Sequence, residues 1–257
     1  MDDSPKGVLK NFSEVFSISP KAVSRKTVHL GMIDTIIFDS EGVVIDTEAI
    51  WDKGQDEFLR RRGFAYDREK VKHLLTGVSL EDGVKALMRE YGFAGNPAIL
   101  ARERLEIVAE LIRRDVKFID GFLDFFSEIN GSFKNCIATA MATPLLEIVD
   151  KKLGLSKLFP KRIFSLADVG FRSKPHPDLF LYSARQLGSS SENCLVIEDA
   201  PFGLQAAKRA GMSCIAITTT YSHDRLSEAD LVVDSFRQIN VSKLGDLGTR
   251  INSRVST

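Results

Sequence analysis

Short apolar runs recur along the chain, and many of the residues between them repeat with helical spacing. Ile33 to Phe38, rich in β-branched residues, predicts a buried strand. Cys136–Ala138, Ile163–Leu166, Cys194–Ile197 and Cys214–Ile217 predict four more, and Leu231–Val233 a weaker sixth. Leu146, Val149 and Leu153 fall at i, i+3 and i+7 ahead of Gly154; Phe180, Ala184 and Leu187 fall at i, i+4 and i+7 ahead of Gly188. Pro201 to Ala210 reads as a further helix that stops at Gly211. Strand–helix alternation with tight connections predicts an α/β fold, a Rossmann-like parallel sheet with helices on both faces.

One stretch breaks the alternation. From about residue 40 to 137 the pattern predicts no strand, while Val84, Leu87, Met88 and Tyr91, then Leu105, Val108, Ala109 and Ile112, repeat with helical spacing. The simplest organisation is a helical domain, residues 49–116, inserted after strand one into a core made of 32–48 and 117–245. Ligands of open α/β sheets bind at the carboxyl ends of the strands, so such an insert would sit over the site as a cap. Residues 1–31 are polar, with Met32 just ahead of the first strand, and read as an N-terminal extension; 246–257 read as a polar C-terminal tail.

Composition narrows the class. The 257 residues carry 35 Lys+Arg and 35 Asp+Glu, a formal net charge of zero, which argues against a general nucleic-acid binder. No apolar run approaches the roughly 18 residues of a membrane span. Cys136, Cys194 and Cys214 form no C-x-x-C pair and read as buried reduced thiols. The start Met1, Asp2, Asp3 lacks an apolar leader, so the expected location is the cytoplasm and the default assembly a monomer.

The chemistry collects where strands end. Asp39, Glu41 and Asp46 follow strand one, Thr139 and Ala140 end strand two, Lys174 precedes a helix, and Glu198 and Asp199 end strand four. In a parallel sheet these ends share one edge. Carboxylates so gathered need a cation, and an oxygen-rich set suits Mg²⁺. A metal, a lysine and a hydroxyl neutralise a phosphoryl group, and a strand-end carboxylate can attack phosphorus. These residues point to metal-assisted phosphoryl transfer.

The same residues resemble the motifs of the haloacid dehalogenase-like superfamily, in its phosphatase and β-phosphoglucomutase branch, over about residues 33–235. All four motifs stand in order, with 100 residues from Asp39 to Thr139, 35 more to Lys174 and 25 more to Asp199. The segment Ile197, Glu198, Asp199, Ala200, Pro201, Phe202, Gly203 is the most specific piece. The resemblance implies that Asp39 is the nucleophile and Glu41, where aspartate is usual, the acid/base. It places Thr139, Ala140 and Lys174 at the phosphoryl group. Asp39, Glu41 (through its carbonyl), Glu198 and Asp199 become the Mg²⁺ set. Asp46 and Thr47 fall in the loop after strand one and are assigned no chemistry.

The segment Leu75 to Asp82 resembles the cap loop of β-phosphoglucomutases, which carry arginine at the position of Leu80 and histidine at that of Trp51. Leucine cannot hold a second phosphate, and Trp51 is read as packing the cap or stacking on a substrate ring. The implied function is a Mg²⁺-dependent phosphatase of a small phosphorylated metabolite, a sugar phosphate or similar. The alternatives are a phosphomutase and a catalytically impaired binding protein, the latter motivated by Glu41 and Ala140. A dehalogenase would have no need for Glu198 and Asp199.

Overall fold

A computed structural model describes residues 32–75 and 78–245. The expected extension at 1–31, the tail at 246–257, and Thr76 and Gly77 of the cap-loop segment lie outside the described residues. The core is a six-stranded parallel sheet of β1 (Thr35–Phe38), β4 (Lys134–Thr139), β5 (Ile163–Ser165), β6 (Cys194–Glu198), β7 (Ser213–Ile217) and β8 (Leu231–Val233). Its order is β5-β4-β1-β6-β7-β8, and every adjacent pair is parallel.

Alternation along the strands splits the interior into two cores. Ile36, Phe38, Ile137, Ile197 and Ile215 face one cluster, which includes residues of α5 (Phe122–Ile129) and α6 (Thr143–Leu153). Ile37, Cys136, Val196, Cys214 and Ala216 face the other, with α8 (Asp178–Gln186) and α9 (Pro201–Arg209). Four phenylalanines centre the first: Phe122, Phe125 and Phe159 meet the Phe38 ring edge-on at 5.6, 6.2 and 6.0 Å. The three cysteines are buried and unbridged. Gly154, at φ 71°, caps α6 in the left-handed region that glycine adopts freely.

Among the described residues, four helices lie between Asp46 and Lys117: α1 (Glu48–Arg60), α2 (Arg68–Leu75), α3 (Leu80–Tyr91) and α4 (Pro97–Asp115). They bury a cluster of their own, built on Phe58, Leu59, Val71, Val84 and Leu87. Ser79 and Asn96 side chains accept from backbone amides at the starts of α3 and α4. The stretch is not free of strands: β2 (Ile45–Asp46) and β3 (Lys117–Phe118) pair antiparallel where the chain leaves and re-enters the core. Two-residue strands are too short to carry a periodic signal, so the pattern misses them. Val108, Ala109 and Ile112 of α4 belong to the first core cluster, tying the helical insert to the sheet. Among the described residues, no helix is long and apolar enough to cross a membrane.

Candidate active site

The chain passes from β1 out to β4 and β5 and returns to β6 on the other side of β1. This reversal opens a crevice at the carboxyl end of β1, where open α/β sheets hold ligands. Residues of the sheet edge and of the helical insert, Trp51, Gln55, Tyr66 and Leu80 among them, together line a cleft of about 700 Å³. Asp39, Glu41, Thr139, Ala140, Lys174, Glu198 and Asp199 all line this cleft. Seven positions spread over 160 residues of sequence therefore converge, because each follows or flanks a strand of the same parallel sheet.

Lys174 is the centre of the charge arrangement. Its ammonium contacts Asp39 Oδ1 and lies 2.5 Å from Glu198 Oε1, with the three side chains 12%, 11% and 1% exposed. Burial works against the Lys174 charge, but Asp39 and Glu198 outweigh it and hold the lysine above its ordinary pKa. The second oxygen of Glu198 accepts from the backbone amides of Asp199 at 2.8 Å and Ala200 at 3.0 Å, at the entrance to α9. Both Glu198 oxygens are thus engaged. Gly203 completes this seat, since a Cβ there would overlap the Glu198 carboxylate.

Asp39 and Asp199 are left short of positive charge. Burial, ahead of every other influence, pushes Asp39 up to about 7 against the pull of Lys174, with Glu198 and Glu41 adding to the rise. Burial, then the charges of Glu198 and Asp39, pushes Asp199 well above the usual carboxylate range, against a hydrogen bond from Thr220. A Cβ on Gly42, whose φ is 76°, would run into Asp199 Oδ2 and lie 2.8 Å from Thr220 Oγ1. Four carboxylates thus face one ammonium that is already engaged, which is the deficit a divalent cation fills. Among the described residues no three acidic, histidine or cysteine side chains converge on one point. Two carboxylates, with backbone carbonyl and water completing the shell, is the donor set Mg²⁺ accepts.

Glu41 is held separately. Its Oε1 accepts from Trp51 Nε1 at 2.8 Å and from Thr47 Oγ1 at 3.2 Å. Burial pushes this carboxyl above its ordinary value against those two donors. Trp51 therefore acts as a hydrogen-bond donor to Glu41, a role that neither packing nor stacking described, and Thr47 acquires a contact where the sequence reading gave it none. Thr47 stands at the N-cap position of α1 without a side-chain cap bond, and Trp51 lies one turn on, so the i, i+4 spacing was the available signal. Behind the indole, Arg104 of α4 sits 5.3 Å from the ring centroid and donates to Gln55 Oε1 at 2.7 Å. Burial lowers Arg104 to about 10, which leaves it charged at neutral pH. Thr139, buried at the end of β4, accepts from the Met141 amide at 3.0 Å and keeps its hydroxyl hydrogen free to donate.

Comparison with known proteins agrees with this architecture. The profile of the haloacid dehalogenase-like hydrolase family matches residues 36–217, and the chain belongs to that family. It is similar to hexitol phosphatase A of Escherichia coli (strain K12), 29% identical over 210 residues, covering 80% of this chain and 93% of the relative. A fructose-1-phosphate phosphatase of the same organism is 30% identical over 182 residues, covering 71% and 95%. Among solved structures, the β-phosphoglucomutase of Clostridium difficile superposes with a TM-score of 0.69 at 26% identity, over 87% of this chain and all of that one. The family resemblance read from the motifs and the α/β fold read from the strand–helix alternation are both borne out.

Proposed function

We propose that the protein is a phosphoric monoester hydrolase that takes a small phosphorylated metabolite, a sugar phosphate or similar, in the cleft between sheet edge and helical insert. The supporting observation is the division of its carboxylates. Asp39 touches the Lys174 ammonium, while Glu41, two residues on, is held apart by Trp51 and Thr47. One carboxylate is thus poised at the charge-neutralising lysine and the other is buried and held by two hydrogen-bond donors away from it, which suits a nucleophile and an acid/base. The relatives named above, two of them phosphatases of sugar or sugar-alcohol phosphates, favour the same substrate class.

In this reading Asp39 attacks phosphorus in line through one carboxylate oxygen. The bond from phosphorus to the leaving oxygen breaks, and that oxygen takes the Glu41 proton. Lys174 and the Thr139 hydroxyl neutralise and orient the phosphoryl oxygens, beside Ala140. Glu41, now ionised, then removes a proton from water, the water oxygen bonds phosphorus, and the bond from phosphorus to the Asp39 oxygen breaks, which restores the carboxylate and frees inorganic phosphate. Residues 49–116 form the cap that excludes bulk water during the first step. Asp39, Asp199 and the Glu41 carbonyl would hold Mg²⁺, which supplies charge neutralisation at the phosphoryl oxygens. With both its oxygens engaged, Glu198 is assigned to positioning Lys174 rather than to the metal.

Leu80 lines the cleft where a phosphomutase of this branch carries arginine, which favours hydrolysis over transfer to a second phosphate site. The anchoring of Glu41 favours an active enzyme over an impaired one. Phosphate release from a panel of sugar phosphates, nucleotides and phosphorylated acids, with Mg²⁺ and with chelator, tests the proposal. Metal-dependent release that Asp39→Asn abolishes is the expected result. An Asp39→Asn variant turning over near the wild-type rate would remove Asp39 as nucleophile.

A further inference from the structure

The mouth of the cleft is apolar in a way the phosphoryl chemistry does not require. Phe171 and Phe202 line it while remaining 76% and 43% exposed, and Val78 on the cap side is 48% exposed. The two rings flank the charge cluster in sequence and line the same cleft. Phe171 lies three residues before Lys174, and Phe202 three residues after Asp199.

Phe171 is also held against its conformational preference. Its φ is 61°, in the left-handed region that a bulky residue avoids, directly after Gly170 at 64°. Its amide donates to the Leu166 carbonyl at 2.8 Å, and the next residue, Arg172, pairs with Asp178 at 2.9 Å. The loop that delivers Lys174 thus fixes an aromatic ring in solvent at the cleft mouth. Glycine would fit this backbone better and a polar residue would suit the exposure better. Strain of this kind persists where the side chain has a use.

We infer that the phosphate ester carries, on the side of the leaving alcohol, an aromatic ring that packs against Phe171 and Phe202. This rests on the hydrolase reading above and, within small phosphate esters, puts an aromatic alcohol in place of a sugar. With the phosphate held at Lys174, a ring on the alcohol side occupies the same cleft that Phe171 and Phe202 line. There it removes apolar surface from water on both partners.

Ethyl phosphate and 2-phenylethyl phosphate share a primary-alcohol leaving group and differ by the ring. Their binding to the Asp39→Asn protein, measured by calorimetry with Mg²⁺, is the test, with phosphate release by the wild-type protein recorded alongside. The phenyl ester should bind about 10-fold more tightly, as expected for a half-buried ring. Adding Phe171→Gly should reduce that ratio to under about 3-fold while raising the melting temperature, since glycine relieves the backbone; adding Phe171→Ala with Phe202→Ala should abolish it. Equal binding of the two esters, no binding of either, or a preference that survives both variants overturns the inference. Release of phosphate from ethyl phosphate with no ring preference would leave the hydrolase standing and reject the ring. Ring-dependent binding with no phosphate release by wild type would do the reverse.

Discussion

Replacing Trp51 by phenylalanine isolates the control of Glu41. The ring is kept, so the cap packing and the Arg104 contact at 5.3 Å persist in kind, but the indole N–H is lost. That N–H is the better of the two donors to Glu41 Oε1, at 2.8 Å against 3.2 Å for Thr47. A hydrogen bond to a charged group contributes about 1.5–3 kcal/mol, equivalent to roughly 10- to 100-fold. The bond favours the ionised form of Glu41, so its removal adds to the upward push of burial. Ionised Glu41 is the form that deprotonates water, so the acidic limb of the kcat profile should move to higher pH. We expect a loss of about 10- to 100-fold on the acidic limb that narrows as pH rises. Phosphate release measured across pH for both proteins checks this. A loss that is uniform with pH would mean simple misplacement, and an unchanged profile would refute the assignment of Glu41 to this bond.

Three other outcomes follow from the same geometry. Gly203→Ala drives a Cβ into the Glu198 carboxylate, so it should cost about 1–3 kcal/mol in urea unfolding and abolish phosphate release; a neutral result would place that carboxylate elsewhere. Lys174→Met leaves Asp39 and Glu198 buried without a counter-charge and should cost about 3–5 kcal/mol along with turnover, with stability partly recovered on acidification as the carboxylates take protons. Asp39, pushed up to about 7, and Asp199 and Glu41, raised with it, hold protons more tightly in the folded chain than in the unfolded one. The folded state is then the more protonated between about pH 4 and 7, and stability in chelator should fall as pH rises through that window. Carboxylates shifted the other way, such as Asp115 at about 2, act below it. Mg²⁺ added at about pH 7.5 should recover the loss, because a ligand bound only by the folded state stabilises it. A melting temperature in chelator that climbs from about pH 5.5 to 7.5 would contradict the charge deficit at this site.

The strands were legible because a buried parallel strand is a short apolar run, and β6 and β7 are buried at every position. Helix ends were legible where glycine supplies the left-handed turn, as at Gly154 and Gly211. The site residues could be found because a parallel sheet sends its strand ends to one edge, so order along the chain already implies proximity. Residues outside that rule were not found. Thr220 reaches Asp199 from the loop after β7, and Arg104 reaches Trp51 from the third turn of α4, with no periodic or motif signal to mark either.

The chain's own pattern of apolar and polar positions therefore determines that this is a parallel α/β protein with a helical insert. The types of its strand-end residues determine that the sheet edge is built for anionic, oxygen-rich chemistry. The tertiary structure decides which partner each carboxylate takes: Lys174 for Asp39 and Glu198, Trp51 and Thr47 for Glu41, Thr220 for Asp199. It also decides that Gly42 and Gly203 are needed for close approach and that Phe171 stands in solvent at the cleft mouth. The physical reason is one of range. Periodicity and residue type report on the secondary structure of neighbours a few positions away, whereas hydrogen bonds, charge coupling and exposure at a site depend on which side chains packing brings together, from 10 residues apart for Glu41 and Trp51 to 135 for Asp39 and Lys174.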